Sequence, residues 1–526
     1  MEREDRLEAA RRVDWRFLLD DPHLDSVACL LPGDERLPDA LAALGVEVSS
    51  GTAAELSGAE RQWSVVVLDL RRSDAGNETL IATAVGLAKP GGWVLIDLPA
   101  RARLLGHLAR TERALRSTDL ERTHRHWHMP SRKAATHIVS LDDPVAIRAA
   151  LRRHGSSRRH RTRASAARRI ASLAPPDLLG GDVTILARRA GGTKPASPWP
   201  GLGSVGSELA ASSGLVRPSF ILLTPRYPAS AHVLLLIVAD DGATRLVAKV
   251  ARLREDGASL ALEAEHLAAL AASPIERGSI PELVTLDRVS GHAVLVESAL
   301  RGRPLDRPLV RRNPGGWIMA ARGWLEGMPT SDSGPDDDVG VIADEALDRI
   351  ASAVTGNEPA SDLVARAWQS MAPLRHQSLP RPFEHGDLSH PNILVLDGDR
   401  LGVIDWETAT RHGVPLHDLC FFIGYVALST GAPGEPPFEG LLRVLAHRDW
   451  GAVGALRGEL DRLGVDRELM PALVLCCWTR SLARIMDRLG FVPEAEATSG
   501  SMRRDRYYAM WEGTVRGYEQ LADVLS

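Results

Sequence analysis

Residue types suited to phosphoryl transfer occur together in the last third of the chain. His385-Gly386-Asp387 is followed by Asn392 and then by Asp405, which are five and eighteen positions after Asp387. A carboxylate beside an acceptor hydroxyl can orient it and accept its proton. Mg²⁺ prefers oxygen ligands, such as amide and carboxylate groups. The spacing therefore predicts a catalytic loop with Asp387 as base and a magnesium site at Asn392 and Asp405.

The residues between Asn392 and Asp405 predict the element that positions both side chains. Two apolar runs, 393–396 and 401–404, flank an Asp-Gly-Asp-Arg sequence. Apolar runs around a Gly-containing turn are typical of a β-hairpin. A hairpin returns the chain to the edge from which it started, so we expect Asn392 and Asp405 on one side of a cleft.

At these residues the chain resembles the aminoglycoside phosphotransferase-like family of small-molecule kinases, which have a protein-kinase-like fold. The family pattern joins a His-Gly-Asp loop, an Asn, an Ile-Asp-Trp-Glu segment and a Gly-x-Pro tail with Asp-Leu, found here at 385–387, 392, 404–407, 413–415 and 418–419. The resemblance extends over the C-terminal part of the chain. It implies ATP and Mg²⁺ as cofactors and a hydroxyl group of a small molecule as acceptor.

The same resemblance implies a role for each motif residue. Asp387 is expected to be the catalytic base, with Asn392 and Asp405 as Mg²⁺ ligands. Asp418 is expected to support the loop through its carboxylate. His385 is interpreted as a residue that orders the loop, with a proton shuttle as the alternative. The acceptor stays open among aminoglycoside-like molecules, sugars and other metabolites.

A nucleotide-binding lobe is predicted upstream, at 216–298. Apolar strand patterns at 232–238 and 245–250 enclose a turn signal, Asp-Asp-Gly-Ala. The second strand contains Val-Ala-Lys, in which Lys249 is placed like the strand lysine of kinases. We therefore expect two antiparallel strands with Lys249 directed at nucleotide phosphates.

The next segments predict partners for Lys249 and for the adenine ring. Apolar residues at helical spacing over 260–270 predict a helix. Glu263 is the expected partner of Lys249, because the family places its Glu just before such an Ala, and Glu265 is the alternative. The run 293–298, which includes Glu297, resembles the strand and hinge that present backbone groups to adenine.

The segment expected to cover the phosphates, between Leu222 and His232, contains no glycine. Glycine-rich loops let backbone N–H groups approach phosphate closely. Here Arg226 or the Ser230 hydroxyl is expected to take that role. The missing glycines also motivate a second hypothesis, in which the chain is a catalytically silent nucleotide- or metabolite-binding protein.

Residues 1–190 predict a different domain. Apolar strands alternate with helical patterns, which is typical of a doubly wound, Rossmann-like α/β sheet. The sequence Lys-Pro-Gly-Gly-Trp-Val-Leu-Ile at 89–96 resembles the turn and fifth strand of class I S-adenosylmethionine-dependent methyltransferases. A single glycine, Gly33, follows the first strand, where a nucleotide-type cofactor requires a glycine cluster. We therefore expect the fold without methyl transfer.

An active methyltransferase domain, which would make the protein bifunctional, is kept as a further alternative. Glu47 would then meet the ribose and Asp69 would line the cofactor pocket. Residues rich in Gly, Pro and Ser predict a linker at 191–215, and helical patterns predict a mainly helical C-terminal lobe at 299–526.

Composition and charge bound the general class. The chain is 44% hydrophobic and 25% charged, as in ordinary globular proteins, with a formal net charge of −5. Basic residues concentrate at 148–169, which we interpret as a solvated surface rather than a nucleic-acid site. No apolar run reaches the ~20 residues of a membrane span. The four cysteines lack metal or disulfide spacing, which together with a start unlike a secretory signal predicts a cytoplasmic protein. The oligomeric state is left open.

Overall fold

The computed structural model describes residues 3–30, 36–58, 61–70, 78–98, 104–129, 135–154, 182–191, 202–215, 218–225, 230–331, 338–354, 358–488 and 505–526. The chain divides into two compact units. The first comprises Met1–Ala261 and Val284–Ala299, and the second comprises Leu262–Leu283 and Leu300–Ser526.

Among the described residues, the first unit is built on one twelve-stranded sheet. The strands are β1 (Ser26–Leu30), β2 (Glu47–Gly51), β3 (Trp63–Asp69), β4 (Ala88–Leu98), β5 (Leu120–Met129), β6 (His137–Ser140), β7 (Asp182–Arg189), β8 (Ser219–Leu223), β9 (His232–Val238), β10 (Thr244–Ala251), β11 (Leu283–Val289) and β12 (His292–Ser298). Their order across the sheet is β11-β12-β10-β9-β8-β6-β5-β7-β4-β3-β1-β2. Helices accompany them: α1 (Arg3–Arg12), α2 (Arg36–Ala43), α3 (Ala53–Ser57), α4 (Glu78–Leu87), α5 (Leu104–Arg116), α6 (Pro144–His154) and α7 (Gly203–Ser213).

The edge of this sheet formed by β1–β4 is parallel. β1 pairs with β2 and β3, and β3 pairs with β4, all in parallel register. β1, β3 and β4 are rich in Val, Leu and Ile and almost entirely buried, as expected for strands covered on both faces. α2, α3 and α4 lie between them in the chain. The methyltransferase-like assignment of this part stays a prediction.

The other edge is antiparallel and contains the strands predicted for nucleotide binding. β9 coincides with the predicted strand 232–238, and β10 contains the predicted strand 245–250. β10 pairs with β9 and with β12. β8 joins the two parts of the sheet, because it pairs with β9 on one side and β6 on the other. The predicted domain boundaries stay a prediction.

Part of the predicted linker is a packed helix. α7 covers Gly203–Ser213. Leu202, Val205 and Leu209 are buried in the same core cluster as strands β9 and β10. Their spacing places them on one helix face, and burial of that face explains why a segment rich in Gly and Ser is helical here. Residues 192–201 of the predicted linker lie outside the described residues.

The second unit is mainly helical and has its own core. A single helix, α8 (Ala258–Ala271), begins in the first unit and continues into the second. The following helices are α9 (Arg307–Val310), α10 (Pro314–Leu325), α11 (Val339–Ala353), α12 (Glu358–Met371), α13 (His417–Thr430), α14 (Pro437–Ala446), α15 (Ala452–Leu463), α16 (Met470–Arg488), α17 (Arg506–Arg516) and α18 (Tyr518–Leu525). Short strands are β13 (Arg303–Pro304), β14 (Thr330–Ser331), β15 (Arg381–Pro382), β16 (Ile393–Val395) and β17 (Leu401–Val403). Strands and helices in this order fit the predicted α+β architecture.

Helix α16 contributes many buried residues to that core. Within the described residues, Arg467–Arg488 is the one helical stretch long and apolar enough to cross a membrane by length and composition. Most of it is buried inside the second unit, as in the core helix of a globular domain. Cys476 and Cys477 lie on it, and both are buried and form no disulfide bond.

Three features used in the sequence analysis fall wholly or partly outside the described residues. These are Gly33, Arg226 and most of the basic run at 148–169. In the second unit, the carboxylate of Asp338 caps α11 by accepting a hydrogen bond from the N–H of Gly340.

Candidate active site

The predicted hairpin is confirmed and brings two candidate metal ligands together. β16 and β17 are antiparallel, with Ile393 opposite Val403. At the open end of the hairpin, the N–H of Ile404 donates to the backbone oxygen of Asn392 at 2.9 Å. Asp405 follows directly, so Asn392 and Asp405 lie at neighbouring positions on one edge.

Asp387 lies beside the start of this hairpin, and each oxygen of its carboxylate accepts a hydrogen bond. Ser389 Oγ donates to Oδ1 at 3.0 Å, and Asn392 Nδ2 donates to Oδ2 at 3.2 Å. Burial raises the pKa of Asp387 to about 6, with a smaller contribution from Asp405, whereas Ser389, Arg488 and Arg506 oppose the rise. The carboxyl is therefore mostly ionised at neutral pH, in the form that can accept a proton.

The donor set around Asn392 fits a hard cation. Asn392 Nδ2 donates to both the backbone and side chain of Asp387, so its Oδ1 faces the other way. Asp405 has a left-handed backbone with φ of 72°, which is uncommon for a residue with a side chain and concentrates at functional sites. Carboxylate oxygens of Asp405 and Glu407 lie within 4.8 Å of each other. Amide and carboxylate oxygens are the ligands that Mg²⁺ prefers.

The carboxylate of Asp418 is hydrogen-bonded to the backbone of the catalytic loop, which agrees with its predicted supporting role. It lies in the first turn of α13 and accepts hydrogen bonds from the N–H groups of His385, at 2.7 Å, and Gly386, at 2.8 Å. Burial, and then the charge of Glu384, raises the pKa of Asp418 to about 7, and the two N–H groups oppose that rise. The carboxylate thus fixes the backbone immediately before Asp387.

His385 is used on both ring nitrogens. Nδ1 accepts from the N–H of Asp387 at 3.2 Å, and Nε2 lies 3.1 Å from the carbonyl oxygen of Ile404. Since a carbonyl only accepts, Nε2 carries the proton. The ring is fully buried and meets Trp406 edge-on, with centroids 4.7 Å apart. These contacts suit a residue that joins the loop to the hairpin, which supports the loop-ordering interpretation.

A buried ion cluster behind the loop was not predicted from the sequence. Glu384 accepts hydrogen bonds from Arg480 Nη1 at 2.7 Å and Arg484 Nη2 at 2.6 Å, and its side chain is 1% exposed. Burial alone would raise the pKa of Glu384, but the two guanidinium groups hold it well below its usual range. Arg484 Nη1 also donates to the backbone oxygen of Gly386 at 3.1 Å. The cluster therefore ties the catalytic loop to α16.

A sequence signal for this cluster existed. Arg480, Arg484 and Arg488 recur every four residues, a spacing that places them on one helix face. Arg488 donates to Glu407 at 3.1 Å, so all three arginines bind acids next to the catalytic motifs. Identifying the acids required the fold, because Glu384 is about a hundred positions away in sequence.

The candidate nucleotide-binding residues of the first unit lie on its antiparallel edge. Lys249 is buried in β10, paired in register with Leu234 of β9 and Leu295 of β12. Glu297 is buried in β12, opposite Val247. Ser230 precedes β9, and its hydroxyl donates to the carbonyl oxygen of His232 at 3.2 Å. Their nucleotide-binding roles stay predictions.

Glu263, the predicted partner of Lys249, belongs to the second unit. Its Oε1 accepts a hydrogen bond from the N–H of Trp406 at 2.8 Å, and the side chain is fully buried. His266, one helical turn later, has Nδ1 3.2 Å from the carbonyl oxygen of Trp406. α8 therefore holds the segment that contains Asp405. The pairing of Glu263 with Lys249, or of the alternative Glu265, stays a prediction.

Comparison with solved structures finds distant likenesses of low score. A Streptomyces rimosus aminoglycoside phosphotransferase APH(3'')-Id, in complex with ADP and streptomycin, is 20% identical, with 47% of this chain and 90% of that chain covered and a TM-score of 0.30. A choline/ethanolamine kinase family protein from Mesorhizobium loti is 18% identical, with 60% and 92% covered and a TM-score of 0.35. The macrolide 2'-phosphotransferase MphH from Brachybacterium faecium is 17% identical, with 57% and 96% covered and a TM-score of 0.31.

Comparison with curated proteins finds no match. The family assignment rests instead on a family model, which matches residues 229–456 and is described as the phosphotransferase enzyme family, APH. The matched range contains Lys249, Asp387, Asn392 and Asp405. Residues 229–456, less than half of the chain, are thus similar to the APH phosphotransferase enzyme family.

Proposed function

We propose that the protein is an ATP- and Mg²⁺-dependent phosphotransferase that moves the γ-phosphate to a hydroxyl group of a small molecule. The observation that carries this proposal is the environment of Asp387. Its carboxylate lies half-buried beside Asn392, with its pKa raised to about 6, and Asp418 binds the backbone N–H of the preceding Gly386. Such a group is placed to bind an acceptor hydroxyl and to accept its proton.

In the proposed reaction, Asp387 orients the acceptor hydroxyl and takes its proton. The acceptor oxygen forms a bond to the γ-phosphorus, and the bond between that phosphorus and the bridging oxygen breaks, which releases ADP. Lys249, with Glu263 as its partner, would hold the nucleotide phosphates, and Glu297 lies on the strand predicted to present backbone groups to adenine. Ser230 would contact phosphate in place of a glycine loop.

Asn392 and Asp405 would hold Mg²⁺, with Glu407 nearby as a further carboxylate. When bound, the ion neutralises phosphate charge. The surrounding protein limits how far these ligands can move. The hairpin fixes the backbone of Asn392 against Ile404, and Glu263 binds the backbone of Trp406 next to Asp405. Held on both sides in this way, the two side chains need little reorganisation to bind a cation.

The acceptor class is to be found by experiment, because fold and family do not choose it. The similar structures name three classes to try first: an aminoglycoside such as streptomycin, choline or ethanolamine, and a macrolide. Sugars and other hydroxyl metabolites complete the set. Transfer of radiolabelled γ-phosphate from ATP to each compound would be measured in the presence of Mg²⁺.

The deciding variant is Asp387→Asn, which keeps the size of the side chain but cannot accept the proton. We expect it to lower the transfer rate by about 10²–10⁴, the usual contribution of a general base, and to leave Mg·ATP affinity unchanged. Asp397→Asn, in the exposed hairpin turn, is the matched control and should retain full activity. Equal activity of Asp387→Asn and the unchanged protein would contradict the proposed mechanism.

A further inference from the structure

The N-terminal segment, residues 3–19, packs on the antiparallel edge of the first unit. It consists of α1 and a 3₁₀-helix, Asp14–Leu18. Leu7 and Ala10 of this segment share a small core cluster with Ala231 and Leu253, which adjoin β9 and β10. The segment precedes residue 229, where the family match begins, so nothing in the family model assigns it a role.

A buried ion pair joins this segment to the strands. Arg252, just after β10, donates to Asp14 through Nε, at 3.0 Å, and Nη2, at 2.9 Å. The two side chains are 0% and 4% exposed. Arg16 adds a second link, because its Nη2 donates to the backbone oxygen of Arg252 at 2.5 Å. A buried charge that lost its partner would be strongly unfavourable, so Asp14 and Arg252 must remain together.

The same guanidinium group also binds a residue that follows the end of β8 and a residue that precedes the start of β9. Arg252 Nη2 donates to the backbone oxygen of Pro225 at 3.0 Å. Nη1 donates to the backbone oxygen of Ser230 at 2.8 Å and to its Oγ at 3.0 Å. Pro225 follows β8 and Ser230 precedes β9. Because one side chain binds both residues, Arg252 holds Pro225 and Ser230 at a fixed separation.

We infer that Arg252, held by Asp14, is a positioning residue for binding of the nucleotide phosphates. The inference rests on the proposed function, in which Ser230 contacts the phosphates. Arg252 is fully buried, so it acts through Pro225 and Ser230 and not by touching the nucleotide. The N-terminal segment is thereby part of the nucleotide-binding machinery of this chain.

Binding of two probes to the full-length protein tests the inference. Affinities for Mg·ATP and for adenosine, which lacks phosphates, would be measured by calorimetry. Asp14→Asn removes the charge that orients Arg252. Arg252→Lys keeps a cation beside Asp14, so the buried charges stay paired, but an ammonium cannot reach Asp14, Pro225 and Ser230 together. It therefore serves if Asp14→Asn does not fold. Asp14→Glu, which keeps the charge, is the rescue variant.

We expect Asp14→Asn and Arg252→Lys to weaken Mg·ATP binding about tenfold, comparable to the cost of ordering one backbone residue. Adenosine binding should change by less than about twofold, since its contacts lie elsewhere, and Asp14→Glu should recover most Mg·ATP affinity. Arg6→Ala, which removes a pair between the same segment and Glu255 that is solvent-exposed on both sides, should bind both probes like the unchanged protein.

The outcomes separate the inference from the proposed function. Equal weakening of both probes would show a general structural effect and overturn the positioning role, as would unchanged Mg·ATP binding in both variants. Failure of the unchanged protein to bind Mg·ATP would overturn the proposed function and the inference with it. Weakening confined to Mg·ATP supports both.

Discussion

Asp387 shows how the surroundings of one side chain prepare it for proton transfer. Burial raises its pKa, whereas the Ser389 hydroxyl stabilises the ionised form and opposes the rise. The result, a pKa of about 6, leaves a carboxylate at neutral pH that is more basic than an ordinary Asp. The two opposing effects therefore set the pH at which Asp387 loses its proton, and the rate of phosphoryl transfer should depend on that pH.

We predict that kcat/KM for phosphoryl transfer is flat above about pH 7 and falls tenfold per pH unit below about pH 6, because protonated Asp387 cannot accept the acceptor proton. Ser389→Ala removes the hydrogen bond to the charged form, which raises the pKa further. Its pH profile should therefore shift to higher pH. A profile that is identical in Ser389→Ala, or that inflects above pH 8, would argue against Asp387 as the titrating base.

At the scale of elements, the catalytic loop is held from two helices. α13 supplies Asp418 to the loop's N–H groups, and α16 supplies Arg484 to the carbonyl oxygen of Gly386. Gly386 fits between them because it has a φ of 81° and no side chain. A Cβ built there would lie 2.5 Å from Arg484 Nη1 and 2.7 Å from the Thr408 carbonyl oxygen. Backbone conformation and close packing both require glycine at this position.

Gly386→Ala is therefore expected to displace the loop and to lower the transfer rate about 100-fold, as a shift of about 1 Å in a catalytic group does. Gly398→Ala is the matched control. Gly398 has a similar φ of 72° but no atom within 4 Å of the added Cβ. It should lose about 1–2 kcal/mol of stability from the left-handed backbone alone and keep its activity. Kinetic constants and chemical denaturation of both variants would decide, and equal activity loss in both would refute the packing argument.

The buried cluster of Glu384, Arg480 and Arg484 makes a separate prediction about stability. Glu384→Gln leaves two guanidinium groups without their shared counter-ion, one of them almost fully buried. Breaking a buried pair in this way costs about 3–5 kcal/mol of unfolding free energy. Asp461→Asn, which breaks an exposed pair with Arg467, should leave stability unchanged. Urea denaturation at neutral pH compares them, and a small effect of Glu384→Gln would mean that the cluster contributes little.

These elements also show what the sequence could predict. The hairpin at 393–403 was predictable because its runs and turn are contiguous, so local rules suffice. The Asp387, Asn392 and Asp405 pattern was predictable because phosphoryl transfer constrains both residue types and spacing. The partners of Glu384 were not, because they depend on how α16 packs against a loop about a hundred residues earlier.

At the scale of the molecule, pairings in the sheet between strands far apart in sequence were likewise not predictable. Individual strands such as β9 were predictable from apolar runs, but the pairing of β6 with β8, Val139 opposite Ile221, was not. That pairing joins strands from the predicted N-terminal domain and the predicted nucleotide-binding lobe in one sheet. Trp15 and Phe17 share one hydrophobic core cluster with apolar residues of β9 and β10. Residues of α6 share a second cluster with β8 and β9.

The shared core predicts that residues 202–526 do not fold on their own, although they contain the whole range matched by the family model. Without residues 1–191, β8 loses its partner β6, and apolar side chains on β8 and β9 lose their cover. Each fully buried large apolar side chain contributes about 1.5–3 kcal/mol, so exposing several exceeds the roughly 5–15 kcal/mol that stabilise a domain. We expect residues 202–526 alone to be insoluble or to unfold without a cooperative transition.

Co-expression of residues 1–191 with residues 202–526 is the matched control, because it supplies the missing strand and core without the intervening peptide. We expect the two fragments to copurify and to recover a cooperative thermal transition, measured by circular dichroism. Strand pairing and apolar burial need no covalent link between the fragments. A soluble 202–526 fragment that melts at the temperature of the full chain would show that the nucleotide-binding strands are stable without the N-terminal residues, and the N-terminal residues would then be an appended domain.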